Sequence, residues 1–225
     1  MNNPTLCSGL GRALLASLAI SGVLGGCVAA VGGAMVGGTM MAVDRRTTGA
    51  QLDDQTIEVR ASNAIAATLG QRGNVSATSY NRVVLLTGEV PTEADRAQAE
   101  AAVAKVENVR AVVNELAVMP NSTLGQQSTD TVTTGKVKAA FIDTKSLQVA
   151  SIKVVTERGV VYLMGRVTET ESTTAANVTR SVGGVQKVVK VFEIITPAEL
   201  AGMPLPPSAM PGATAASAAA SAPTK

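Results

Sequence analysis

Apolar residues in this chain fall into short continuous runs and into stripes of helical spacing, and both patterns occur twice. Val83-Val84-Leu85-Leu86-Thr87-Gly88-Glu89-Val90 returns as Val160-Val161-Tyr162-Leu163-Met164-Gly165-Arg166-Val167, with five of the eight positions identical. A run of β-branched and aliphatic residues that closes near a glycine predicts a buried strand, with the glycine permitting a bend or the close approach of another backbone. Gly88 and Gly165 are therefore assigned a structural role. Before the first copy, Asp54 looks like an N-cap, and Ile57, Ala61, Ile65 and Leu69 share one helical face. Gly70 and Gly73 stop that helix, residues 75–80 alternate as a half-buried strand, and Asn81-Arg82 makes the turn. After the first copy, residues 92–106 predict a helix with Ala99, Ala102 and Val106 inward, and residues 109–118 predict a closing strand.

The second copy has the same surroundings. A helix carrying Val137 and Phe141 precedes a strand with Ile152 and Val154 on one face, and Glu157-Arg158-Gly159 makes the turn. A helix with Ala175, Val178 and Val182 inward and a strand over 185–195 follow. Internal repetition of this kind settles an architecture. The expected fold is α+β, with two tandem α-β-β-α-β units whose helices pack on one face of a three-stranded sheet. The first unit is placed at 53–119 and the second at 130–196, joined by a linker over 120–129.

Composition narrows the chemistry. Histidine is absent, which removes the commonest general base and metal ligand. Cys7 and Cys27 both precede the repeats, so the folded units contain no thiol chemistry. The carboxylates Glu93, Asp95, Glu169 and Glu171 sit in first turns of predicted helices, where they complement the helix dipole. No catalytic residue, metal ligand or cofactor is expected. A hydrolase would require carboxylates from both units to converge. A net charge of +2 without a basic, aromatic-bearing stripe gives no case for nucleic acid.

The N-terminus has the order of an export signal over residues 1–26: Arg12, then an apolar run through Ile20, then small residues. Leu24-Gly25-Gly26-Cys27 resembles a bacterial lipobox, which implies a lipid on the Cys27 thiol and cleavage just before it. Each buried CH₂ of the acyl chains would contribute about 0.8 kcal/mol, so attachment would be effectively permanent. In the Gram-negative pattern that this resembles, an Asp after the cysteine retains a lipoprotein at the inner membrane. Val28 follows here, which implies the outer membrane, periplasmic face. Residues 27–52 are read as the lipidated cysteine and a tether, with Gly33 and Gly37 spaced as in helix-packing motifs. Residues 197–225 are rich in Pro, Ala and Ser and are expected to be a disordered tail.

Tandem units of this size, helix first, with a Leu-x-Gly strand end and a valine-rich closing strand, resemble the BON domain. With the lipobox, the chain resembles the dual-BON-domain outer-membrane lipoproteins. That resemblance implies phospholipid binding and a part in envelope integrity, without catalysis, and places lipid contact at the first helix of the second unit. Residues 55–118 hold six Lys and Arg against seven Asp and Glu, whereas residues 130–196 hold nine against six. A cation surplus suits an anionic phospholipid surface. Val132, where the family implies an aromatic, and Lys136 lie off the core face marked by Val137. Together with Lys138 they are the expected lipid-binding residues. The alternative is a periplasmic adaptor of the same topology, whose partner is an envelope protein of the outer-membrane assembly machinery or a cell-wall enzyme regulator.

Overall fold

A computed structural model describes residues 44–203. Helix α1, Thr48–Leu69, opens at Thr47, whose hydroxyl accepts the Ala50 N–H at 3.1 Å. Asp54 is thus not the cap. It sits buried inside the helix, and residues 48–52, expected as tether, are helical. Strands β1, Asn74–Tyr80, and β2, Val83–Val90, form an antiparallel hairpin. Its turn places Asn81 and Arg82 at φ 49° and 67°, the two-residue geometry that matches the twist of the flanking strands.

Helix α2, Glu93–Val103, is capped by Thr92 and ends before Val106. Ala99 and Val103 are fully buried, while Ala102 and Val106 are only partly covered. The closing strand is interrupted. β3, Ala111–Asn114, and β4, Ala117–Val118, both run parallel to β2 in continuous register. The gap lies opposite Gly88, whose φ of 113° turns the backbone out of the ladder.

The second unit begins with α3, Leu124–Asp143, so residues 124–129, expected as linker, are also helical. A 3-10 turn, Val149–Ser151, leads into β5, Ile152–Glu157, which pairs antiparallel with β6, Val160–Val167. Helix α4, Glu169–Ser181, connects β6 to β7, Lys187–Ile194, and all eight residues of β7 pair parallel with β6. The ladder passes Gly165 without a break. A short α5, Pro197–Ala201, starts the segment expected to be disordered. Thr196 and Glu199 form its capping box and Pro197 stands at its first turn.

Each sheet buries one face under its two helices. Ile57, Ala61, Ile65 and Val103 meet Val84, Leu86 and Val90 in the first unit. Val137, Phe141 and Ala175 meet Val161, Leu163 and Val167 in the second. Full burial of the Val, Leu, Ile and Phe side chains among them stabilises by about 1.5–3 kcal/mol each. The opposite, helix-free faces pack on one another through Tyr80, Leu85 and Val113 from one sheet and Tyr162, Met164 and Val191 from the other. The result is four layers, helix, sheet, sheet, helix.

Charged and polar contacts fasten both ends of this seam. Arg158 donates to the Gly88 carbonyl at 3.0 Å and to the fully buried Glu89 at 2.9 Å. At the other end the first described residues reach both units. Arg45 holds Glu171 at 2.8 and 2.6 Å and the Arg166 carbonyl at 2.8 Å, while Arg46 binds Asp54 at 2.8 Å and lies 4.1 Å above the Tyr80 ring. The Tyr80 hydroxyl donates to the Ser151 carbonyl at 3.1 Å, and burial pushes its pKa up to about 12.

Candidate functional site

Helix α3 is rich in Ser and Thr, poor helix formers in isolation. It is held by a capping box between Thr123 and Gln126 and by hydroxyls that donate to carbonyls one turn back, such as Thr129 to Gly125 at 3.0 Å. Its inward face is Asp130, Thr133, Val137 and Phe141. The helical period leaves Leu124, Val132 and Ile142 within about 80° of one another on the outer side. All three are exposed, at 82%, 57% and 69%. Lys138 borders that stripe on one side and Lys136 on the other, both exposed and neither in an ion pair among the described residues. Of the acids of the helix, Asp130 points inward, whereas Asp143, at the last position, shares the outer side with Lys136 two turns away.

Apolar exposure alone does not single out this helix, because α1 also exposes Leu52 and Val59, at 63% and 62%. Charge separates the two. On α1, Asp53 pairs with Arg82, Arg60 with Glu107 and Glu58 with Lys153, which leaves no free cation beside the apolar residues. Helix α3 therefore combines an apolar stripe with unpaired cations, the arrangement that favours an anionic lipid interface.

Val132, Lys136 and Lys138, expected from the sequence as lipid-binding residues, all lie on the outer side of one helix. Leu124 and Ile142, not among those expected, extend the stripe along the whole helix. Their signal was present as the helical spacing from Val132. Cys27 lies outside the described residues. Gly88 and Gly165 lie away from α3, and each faces the neighbouring hairpin strand. A Cβ at Gly88 would overlap the Asn74 carbonyl oxygen, and one at Gly165 the Ser151 carbonyl oxygen.

A second pair of residues, Asp130, not singled out in the sequence, and Asp54, read there as a cap, positions α3 and its counterpart. Asp130 accepts the backbone N–H groups of Arg158 and Gly159 at 2.7 and 2.8 Å, which ties α3 to the β5–β6 turn. Asp54 does the same for Asn81 and Arg82, at 2.7 and 2.8 Å, and also accepts from Ser79 and Arg46. Burial works to raise the Asp54 pKa, but the donors from Arg82, Ser79, Arg46 and Asn81 outweigh it and hold the carboxyl below its usual range. Among the described residues, no three His, Cys, Asp or Glu side chains are grouped to hold a metal ion. No described helix is long and apolar enough to cross a membrane.

Comparison with known proteins finds two matches to the BON domain, at residues 53–120 and 129–196. Outer membrane lipoprotein DolP of Haemophilus influenzae is 40% identical over 174 residues, covering 76% of this chain and 90% of that protein. The 21 kDa hemolysin of Actinobacillus pleuropneumoniae is 32% identical over 155 residues, covering 68% and 80%. Among solved structures, the C-terminal domain of CdsD, a structural protein of the type III secretion system of Chlamydia trachomatis, matches at 12% identity with a TM-score of 0.27. That match covers 60% of this chain and 96% of that one.

Proposed function

The chain belongs to the BON-domain family, with two copies in tandem, and from that premise we propose that it is an outer-membrane lipoprotein facing the periplasm. It binds phospholipid through the outer side of α3 and supports envelope integrity without catalysis. The observation that carries the lipid reading is the stripe of Leu124, Val132 and Ile142 bordered by unpaired Lys136 and Lys138. The identity to a protein named as an outer membrane lipoprotein supports the location. Cys27 is the proposed anchor, and α3 adds a second, weaker contact that sets which side of the body meets the bilayer.

The test is co-sedimentation of the Cys27→Ala chain with phosphatidylglycerol vesicles. Each lysine near an anionic surface contributes about 1 kcal/mol, so reversing both with Lys136→Glu and Lys138→Glu should weaken binding by at least about thirtyfold. Binding should also fall at ~1 M salt, where the screening length is only about 3 Å. Val132→Trp should tighten it, because an indole suits the lipid interface. If the unsubstituted α3 fails to bind even at low salt, α3 makes no lipid contact and the adaptor reading gains. In cells, Cys27→Ala should leave an unprocessed or soluble species, whereas Cys7→Ala should change nothing. Mass spectrometry showing an unmodified mature N-terminus elsewhere than Cys27 would exclude this anchor.

A further inference from the structure

The packed sheets have two pairs of neighbouring edges, and they differ. Where β1 lies beside β5, the edges are stapled. Lys153 reaches Glu58 at 2.5 Å and the Ser79 carbonyl at 3.3 Å, and Glu58 accepts the Ser79 N–H at 2.8 Å. Where β3 lies beside β7, Arg110 and Glu193 meet at 3.0 Å, and a cleft of about 470 Å³ remains. Its walls include Tyr80, Val113, Val189, Val191 and Phe192. The outward backbone groups of β7 bond to no other described residue, so eight residues of strand are paired on one side only. An open edge of that length is a template for a further strand.

Charge selects the occupant. Lys187 and Lys190 are exposed along β7 and have no ion-pair partner among the described residues. Glu193 is already taken by Asn81, Arg110 and Arg166. The free charges of the edge are therefore positive. Pairing β7 with β7 of a second copy would bring these lysines together, which like-charge repulsion opposes.

We propose that β7 and the cleft beside it dock an extended, acidic segment of a protein partner, which joins the second sheet as an added strand. Lys190 shares the helix side of β7 with Val188 and Phe192, and Lys187 the seam side with Val189 and Val191, so the segment's acidic side chains face Lys190, its alternate aliphatic side chains enter the cleft, and Lys187 at the start of the strand adds to the positive field. Helix α3 packs over β5 and α4 over β7, so this edge lies across the sheet from α3, and lipid and partner can be held together.

The test uses the full chain in detergent micelles and two probes, a short acetylated peptide alternating valine with glutamate and its valine–lysine counterpart. Hydrogen exchange is followed residue by residue. The glutamate peptide should bind saturably and slow exchange at amides within 187–194, while the lysine peptide should do neither. Lys187→Glu with Lys190→Glu, at exposed sites that leave the core untouched, should weaken the glutamate peptide about tenfold and give the lysine peptide the β7 protection. Absence of binding, protection elsewhere, or binding indifferent to the substitutions would overturn the proposal. So would sedimentation showing that the chain closes this edge with its own copy.

Discussion

Asp54→Ala should destabilise the folded chain by about 3–5 kcal/mol, the range for removing one partner from a buried, charged network. Four contacts fail together. The Asn81 and Arg82 N–H groups lose their acceptor, Ser79 loses its own, and Arg46 loses its buried anion and keeps only Asp44. Asp130→Ala removes the same support from the second hairpin turn but costs no arginine side chain a partner, so its effect should be smaller, about 2–3 kcal/mol. Urea denaturation of the two variants measures both. Equal losses, or a loss under about 0.5 kcal/mol at Asp54 as for an ordinary surface site, would contradict the reading. The Asp54 contribution also depends on pH. Its folded pKa lies below the unfolded value of about 3.9, so the stabilisation is complete above that value. It is lost as acid protonates the folded carboxylate, and the Asp54→Ala chain should show a shallower decline in stability below about pH 4.

Alanine at Gly88 should cost more than about 3 kcal/mol, for two separable reasons. The added Cβ would overlap the Asn74 carbonyl, and φ of 113° is closed to an ordinary side chain. Gly165→Ala tests the first reason alone, because Gly165 has the same overlap with the Ser151 carbonyl but no positive φ. It should be damaging, though less than Gly88→Ala. Gly135 is the control. It lies inside α3 with nothing within 4 Å of its Cβ position, so Gly135→Ala should stabilise by up to about 1 kcal/mol through helix propensity. Thermal unfolding of the three variants ranks them, and a tolerated Gly88→Ala would remove the close approach from the account.

The repeat, the strand runs and the two glycines were legible because each depends on local pattern. Val83–Val90 is apolar on both sides, and the structure shows why: Val84 and Leu86 face helices, while Leu85 faces the other sheet. That double burial was readable in principle from the unbroken run. The helix starts were not read correctly, because Asp54 matches the chemistry of a cap while Thr47 stands in an unremarkable polar stretch. Only the hairpin turn, distant in sequence, shows that Asp54 serves another segment. The partners of Arg45 and Arg158 were equally hidden, since they lie in the other unit and depend on how the sheets pack. At the proposed lipid-contact site the lysines and Val132 were visible as an off-core face. Leu124 was passed over because residues 124–129 looked like linker.

The two apolar stripes on α1 and α3 lie in opposite outer layers, which allows a direct test of the central claim, that α3 is the side that meets lipid. Nitroxide labels placed singly at positions 132, 142 and 59 of the Cys27→Ala, Cys7→Ala chain can be read on phosphatidylglycerol vesicles by power-saturation electron paramagnetic resonance. The account predicts that labels at 132 and 142 become shielded from a water-soluble relaxant and accessible to oxygen, while the label at 59 stays in water. Equal water accessibility at all three positions, or shielding at 59 alone, would contradict it.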